Sequence, residues 1–177
     1  MSRNTVFPNI DGSIPVGGKT VLSSASFIRP NNTTAYDAKD AVANNAAGAA
    51  LLIFTNVAVK NGGSGYITKL RLFTSQSTNV AQYRLQLYSA APTSVNDNAA
   101  FTLLIANQEK RVGFIDVGPA NTEGTGSDSA NALNTDIRLP FVCAAADRKL
   151  YGILETLTAF TPAALQTFFI ELTVEQN

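Results

Sequence analysis

The chain has 177 residues, 45% of them hydrophobic, with thirteen basic and thirteen acidic side chains, no histidine, no tryptophan and one cysteine. That length and composition fit one domain with a real core, and a net charge of zero gives no field to draw the chain to nucleic acid or an anionic membrane. The missing histidine removes the side chain on which most acid–base, nucleophile-activating and zinc or iron chemistry depends, so neither enzymatic activity nor a cofactor is expected.

Only 15% of residues are charged, so much of the polar surface is Asn, Gln, Ser and Thr, a surface suited to contact with another protein. Cys143 rules out an internal disulfide and reads as a small buried residue near the end of a strand. The opening residues are broken by Pro8, Asp11, Gly12 and Pro15 and do not read as a signal peptide. The longest apolar run, residues 46–54, falls far short of the ~20 residues that span a bilayer.

In chain order, residues 1–23 come first. Val6, Phe7, Ile10, Ile14 and Val16 are isolated apolar side chains among Pro, Gly and polar residues, and no period fits them. Pro8 and Pro15 fix backbone angles and withhold amide hydrogens, which suits an extended arm. Such an arm would bury its anchors on a neighbouring molecule, or it would form the leading edge of the domain's own sheet. Within it, residues 12–20 are one inserted glycine away from a phosphate-binding loop. Pro15 deletes an amide there and no helical pattern follows Lys19 and Thr20, so a turn at the base of the arm is the better reading.

The remaining elements are mostly strands. Candidates are residues 24–29, 50–54, 65–75, 80–88, 112–117, 137–143, 150–157 and 167–175. In 65–75, Tyr66, Thr68, Leu70 and Leu72 alternate with Ile67, Lys69, Arg71 and Phe73; in 80–88, Ala81, Tyr83, Leu85 and Leu87 face inward. The short polar link 76–79 predicts a hairpin between these two. The cleanest alternation is the last, where Phe168, Ile170, Leu172 and Val174 oppose Phe169, Glu171, Thr173 and Glu175. A helix is expected only after Asn96, Asp97 and Asn98, with Phe101, Leu104 and Ile105 on one face, and residues 161–165 resemble a capped helical turn. Residues 118–134, rich in Gly, Asn, Thr and Ser, read as a long surface loop.

These elements predict an all-β fold: an antiparallel β-sandwich or jelly roll of about eight strands, with an extended N-terminal arm over residues 1–23, a single domain over 24–177, and at most one short helix. Parallel strands would need crossover helices that the connections do not supply.

Chemical candidates are sparse. Asp128 and Asp136, with Glu123, Asn131 and Asn134, offer hard oxygens for calcium, but the spacing matches no calcium loop and Asx residues more often close turns. Asp116, Glu155, Glu171 and Glu175 would serve glycoside cleavage only if they converged in space. Lys110-Arg111 and Arg148-Lys149 are short basic clusters of a kind that usually flank strands in solvent.

Several segments carry a likeness. Thr33-Thr34-Ala35-Tyr36 after Arg29-Pro30, the turn Asn61-Gly62-Gly63-Ser64-Gly65-Tyr66-Ile67, Asp136-Ile137-Arg138-Leu139-Pro140-Phe141 and Leu150-Tyr151-Gly152-Ile153-Leu154-Glu155-Thr156 resemble a group of small tailed-bacteriophage virion proteins associated with the head genes. The resemblance runs from about Phe27 to Glu175 and rests on turn and strand segments with no catalytic signature. Where a glycine is usual after the Tyr36 segment this chain has Lys39 before Asp40, a departure that bears on the turn and not on the role. The resemblance implies a capsid decoration or cement protein, made in the host cytoplasm and held on the capsid exterior of the virion, with the major capsid protein as partner. Joined to the arm, it makes Val6, Phe7, Ile10, Ile14 and Val16 the expected contact residues, and self-association into a dimer or trimer would multiply weak contacts. The alternative is a carbohydrate- or receptor-binding domain of a phage fibre or tail, using the 118–134 loop and exposed tyrosines.

Overall fold

A computed structural model describes residues 18–177. Along them run β1 (Lys19–Ile28), β2 (Ala41–Val42), β3 (Leu52–Phe54), β4 (Ser64–Thr74), β5 (Tyr83–Tyr88), β6 (Arg111–Val117), β7 (Asn121–Thr122), β8 (Ala130–Asn134), β9 (Leu139–Val142), β10 (Leu150–Thr156) and β11 (Thr167–Gln176). Three of them, β2, β3 and β7, are two or three residues long, which leaves eight substantial strands. A 3-10 turn at Ile105–Lys110 is the one helical element among the described residues.

The chain is all-β. A six-stranded sheet runs β1-β11-β4-β8-β7 with β9 also on β4, and a five-stranded sheet runs β2-β10-β5-β6 with β3 also on β10; every pairing is antiparallel. The two face each other as a β-sandwich. Their inner faces follow from the period-two alternation of side chains: Phe168, Ile170, Leu172 and Val174 are fully buried against Tyr83, Leu85, Leu87 and Leu154. Each such side chain contributes about 1.5–3 kcal/mol by leaving water. Along one side of the sandwich β1 approaches β3, and along the other β6 approaches β4, β8 and β9.

Where the structure departs from the sequence reading, a physical reason is visible. In β4, Ile67 points inward with Leu70 and Leu72, not outward with Arg71 and Phe73. Thr173 lies opposite Lys69 and Val174 opposite Ile67, so Thr68 is an extra residue in the ladder. A bulge of this kind reverses the alternation. The hairpin expected between β4 and β5 does not form, because the two strands lie in different sheets. Alternation specifies which face of a strand is buried, but not which strand lies beside it. The corner between them is tied by buried Asn79, whose Oδ1 accepts from the Ala81 amide at 2.9 Å while its Nδ2 donates to the Tyr83 hydroxyl.

The helix expected after Asn98 is also absent. Asn98 sits at φ 58°, in the left-handed region that interrupts a helix, and the Phe101 amide donates to Lys39 O at 2.8 Å. Ile105, expected on the buried face, is 89% exposed. Residues 161–165, too short for more than a connector, hold a turn at 164–165 with Leu165 at φ 55°. The expected 118–134 loop contains β7 and β8, and β8 pairs with β4; its inward residues are Ala130 and Ala132, too small to register as a hydrophobic period. Of the run at 50–54 only residues 52–54 form a strand, and Ile53 faces outward. β1 begins five residues before the expected domain start, so residues 19–23 belong to the sheet; residues 1–17 of the expected arm lie outside the described residues.

Lys39 stands at φ 75°, a conformation that favours glycine. Its amide donates to Thr156 O at 2.6 Å and its carbonyl accepts from Phe101. The turn thus has a glycine-like shape on a lysine.

Candidate functional site

Two outer faces remain once the inner faces are packed. On the five-stranded sheet the cross-strand rows are Ala41, Glu155, Arg84, Asp116; then Ile153, Gln86, Phe114; then Ile53, Tyr151, Tyr88, Arg111. The centre of this face is covered from within the chain, while Ile53 and Phe114 on its marginal strands stay exposed. Val95, Phe101 and Leu103 pack on Ala41, Tyr88 and Ile153 as a second, smaller core. Under that cover Glu155 is 3% exposed and accepts from Gln86 Nε2 at 2.8 Å, while Gln86 Oε1 accepts from Arg111 at 2.9 Å. At the open margin Arg84 grips both oxygens of Asp116 at 2.6 and 2.9 Å, and its guanidinium lies 4.1 Å from the Phe114 ring.

The cover is pinned by a buried ion pair. Asp97, in the covering segment, accepts from Arg29 at the end of β1 at 2.9 Å, and both side chains are essentially without solvent. The Tyr36 hydroxyl accepts from Arg29 Nε and donates to Asp97 Oδ1, which also accepts the Ala43 amide at 2.9 Å. Burial, and next its hydrogen bond to Asp97, push the Tyr36 hydroxyl well above the usual tyrosine range. Every partner here is satisfied, as a buried charge requires. The cluster is a fastening, and it lacks an open side where a substrate could reach it.

The six-stranded sheet differs. Its outer rows are Ile28, Thr167, Ser75; Ser26, Phe169, Phe73, Asn131; Ser24, Glu171, Arg71, Leu133; Leu22, Thr173, Lys69; and Thr20, Glu175, Tyr66, Pro140. Phe73 and Phe169 stack with centroids 4.6 Å apart, yet belong to neither packed core. The Arg71 guanidinium sits 5.1 Å from the Phe73 ring, and Arg138 sits 4.3 Å from the Tyr66 ring and 3.5 Å from Glu175. Leu22, Ile28 and Leu133 are more than half exposed. Beside the stack, Arg71, Phe73, Glu123, Ser127, Ser129 and Asn131 line a shallow depression. The face therefore combines aromatic and aliphatic surface with a few charges, a composition that suits the centre of a protein interface.

The residues expected to make partner contacts, Val6, Phe7, Ile10, Ile14 and Val16, lie outside the described residues. What is placed is their point of attachment: Gly18 and Lys19 stand at the end of β1 opposite Gln176, at the rim of the six-stranded sheet. Lys19 and Thr20, the end of the phosphate-loop near miss, open this strand and not a helix. The four carboxylates considered for glycoside cleavage do not converge, since Asp116 and Glu155 belong to one outer face and Glu171 and Glu175 to the other. No three His, Cys, Asp or Glu side chains gather as a metal site among the described residues. Of the calcium candidates, Asn134 closes a turn, its Oδ1 accepting the Asp136 amide at 3.0 Å, while Glu123 accepts from Ser127 Oγ through its backbone carbonyl and not its carboxylate. Three of the five tyrosines, Tyr36, Tyr83 and Tyr88, are buried, which leaves Tyr66 and Tyr151 partly open. Cys143 is buried at the end of β9, and burial pushes its thiol up to about 11.

Sequence reasoning missed the Arg29–Asp97 pair, whose members are 68 residues apart and carry no local pattern. The Phe73–Phe169 stack was half visible, as the outward half of two alternating strands. Comparison with protein-family models and with curated proteins gives no match.

Proposed function

We propose that the chain is a non-enzymatic structural protein of a tailed-phage virion that binds the assembled capsid from outside, as a decoration or cement protein, and stabilises it by bridging subunits of the major capsid protein. The observation that carries this reading is the open outer face of the six-stranded sheet, with its Phe73–Phe169 stack and exposed Leu22, Ile28 and Leu133, ending at the rim where residues 1–17 are attached. The segment resemblance to head-associated virion proteins supports the same role. In this reading Val6, Phe7, Ile10, Ile14 and Val16 add apolar anchors, and at about 25 cal/mol per Å² of apolar surface removed from water they contribute several kcal/mol before ordering costs. Counting copies per virion tests the role: hundreds on the head are expected, and a few at one vertex would overturn it. Deleting residues 1–17 is expected to weaken attachment to shells, and unchanged attachment would remove the arm from the proposal.

A second reading is favoured by one observation. Glu123, Ser127, Ser129 and Asn131, from the segment first read as a loop, stand beside the aromatic stack, and polar groups around an aromatic ring are what a sugar-binding fibre domain presents. Binding to a glycan array in the absence of any shell would favour that reading over cement.

A further inference from the structure

Among the described residues, strand β1 is an edge strand. Its one pairing neighbour among the described residues is β11. The Arg29 amide donates to Gln166 O, directly opposite, at 3.0 Å. Hydrogen-bonded and non-bonded pairs alternate along antiparallel strands, so the odd-numbered residues of β1 bond to β11. Thr20, Leu22, Ser24, Ser26 and Ile28 then turn their N–H and C=O groups away from the sheet. The far side of β11 gives the same parity: the Ser75 amide donates to Thr167 O at 3.1 Å, so odd residues of β11 serve β4 and even ones serve β1.

Exposed edges are normally blunted by charges, prolines, bulges or shortness. β1 has none of these between its ends: it is ten residues long, its register with β11 is unbroken, and no charge or proline lies between Lys19 and Arg29. The five residues with outward backbone groups also have exposed side chains, with Leu22 at 63% and Ile28 at 56%.

We propose that β1 pairs antiparallel with β1 of a second copy of this chain, about a two-fold axis at Ala25, making one continuous sheet from the two six-stranded sheets. The outward sequence is close to self-complementary in that register. Leu22 meets Ile28 of the second copy, Ser24 meets Ser26, and the outward backbone groups of these four residues meet outward partners; Thr20 falls opposite Pro30, which offers no amide hydrogen. The four pairs supply about eight hydrogen bonds, within the range of a specific interface. Centring the axis on Ser24 instead would set Leu22 against Ser26 and Ile28 against Thr20, leaving both aliphatic side chains beside hydroxyls. Charge raises no obstacle, since Lys19 would face Asn31 and the Arg29 charge is held inside its own chain by Asp97. The contact is isologous and closes on itself. It does not depend on what the chain coats.

Size-exclusion chromatography with light scattering on the full chain at micromolar concentration tests it without any shell. The expected mass is twice 18.7 kDa. Ser24→Pro removes an outward amide and no bond to β11, so it is expected to halve the mass and leave the circular dichroism and thermal midpoint unchanged. Leu22→Glu is expected to give monomer, and adding Ile28→Lys to restore the dimer, because the new acid and base face each other across the axis in this register only. If Ser24→Pro fails to fold, the Leu22→Glu and Ile28→Lys series decides. A monomeric full chain would overturn the proposal and leave the edge to residues 1–17 or to another protein. A dimer that survives both Ser24→Pro and Leu22→Glu would overturn it too.

Discussion

The two outer faces of the sandwich are built to opposite ends. On the five-stranded sheet, the chain folds its own residues over Tyr88 and Ile153, hides Glu155 and Gln86 beneath them, and fastens the cover through Asp97 to Arg29. On the six-stranded sheet the Phe73–Phe169 stack is half-buried with no cover of its own and Leu22, Ile28 and Leu133 are more than half exposed, whereas on the other sheet the exposed apolar side chains, Ile53 and Phe114, lie on the marginal strands β3 and β6. An apolar side chain in water forgoes the transfer free energy that burial supplies, and the proposed capsid contact would recover it on the face the chain itself leaves uncovered.

The largest break in that comparison comes from the fastening. Asp97→Ala strands the Arg29 charge inside the protein, which costs about 3–5 kcal/mol and is read by urea unfolding. A loss under about 1 kcal/mol, the size found for exposed pairs, would show that the cover is not held this way. Matched truncations then sharpen it. Ile153→Ala under the cover is expected to cost about 2–5 kcal/mol, and Leu133→Ala on the open face less than about 0.5 kcal/mol. Equal costs would abolish the distinction.

Alkaline titration adds a smaller effect. Burial raises the hydroxyls of Tyr36, Tyr83 and Tyr88 above the ordinary tyrosine value. A raised folded value gives stability that is complete below the unfolded pKa and is lost above it, so the melting temperature should hold up to about pH 10 and fall beyond. Melting scans between neutrality and that region would contradict this if the fall began well below it. Lys39→Gly relieves a left-handed lysine at the cost of a freer unfolded chain, and a gain of up to about 1 kcal/mol in thermal unfolding is expected. Smallest of all is the response near neutrality. With no histidine in the chain, the proposed shell attachment should be flat from about pH 6 to 8, and a steep loss there would point to contacts made by groups on another chain.

Much of the inner sandwich was legible because alternation is a local signal. Phe168, Ile170, Leu172 and Val174, like Tyr83, Leu85 and Leu87, line the core as their period demands. The pairing of β4 with β11 and not β5 was not legible, since an alternating strand fits many neighbours, and the bulge at Thr68 reversed part of the expected pattern. The 118–134 segment hid β8 because alanines at its inward positions carry little hydrophobic contrast. Of the candidate surface, Phe73 and Phe169 could be read as outward residues, but their stacking depends on two distant strands meeting in register. The Arg29–Asp97 fastening was beyond reach for the same reason. An Asp after Asn96 reads as a helix cap by local rules, and only the tertiary fold turns it inward.

For the proposed capsid role, co-sedimentation with assembled phage shells tests the open face most directly. Phe169→Lys places a charge in the middle of that face, and Thr102→Lys adds one to the cover of the opposite face, at an exposed position between Phe101 and Leu103. Phe169→Lys is expected to weaken shell binding by at least about tenfold, the loss expected from a buried aromatic anchor, with Thr102→Lys binding as the unaltered chain does. Undiminished binding by Phe169→Lys, or the larger loss falling on Thr102→Lys, would contradict this.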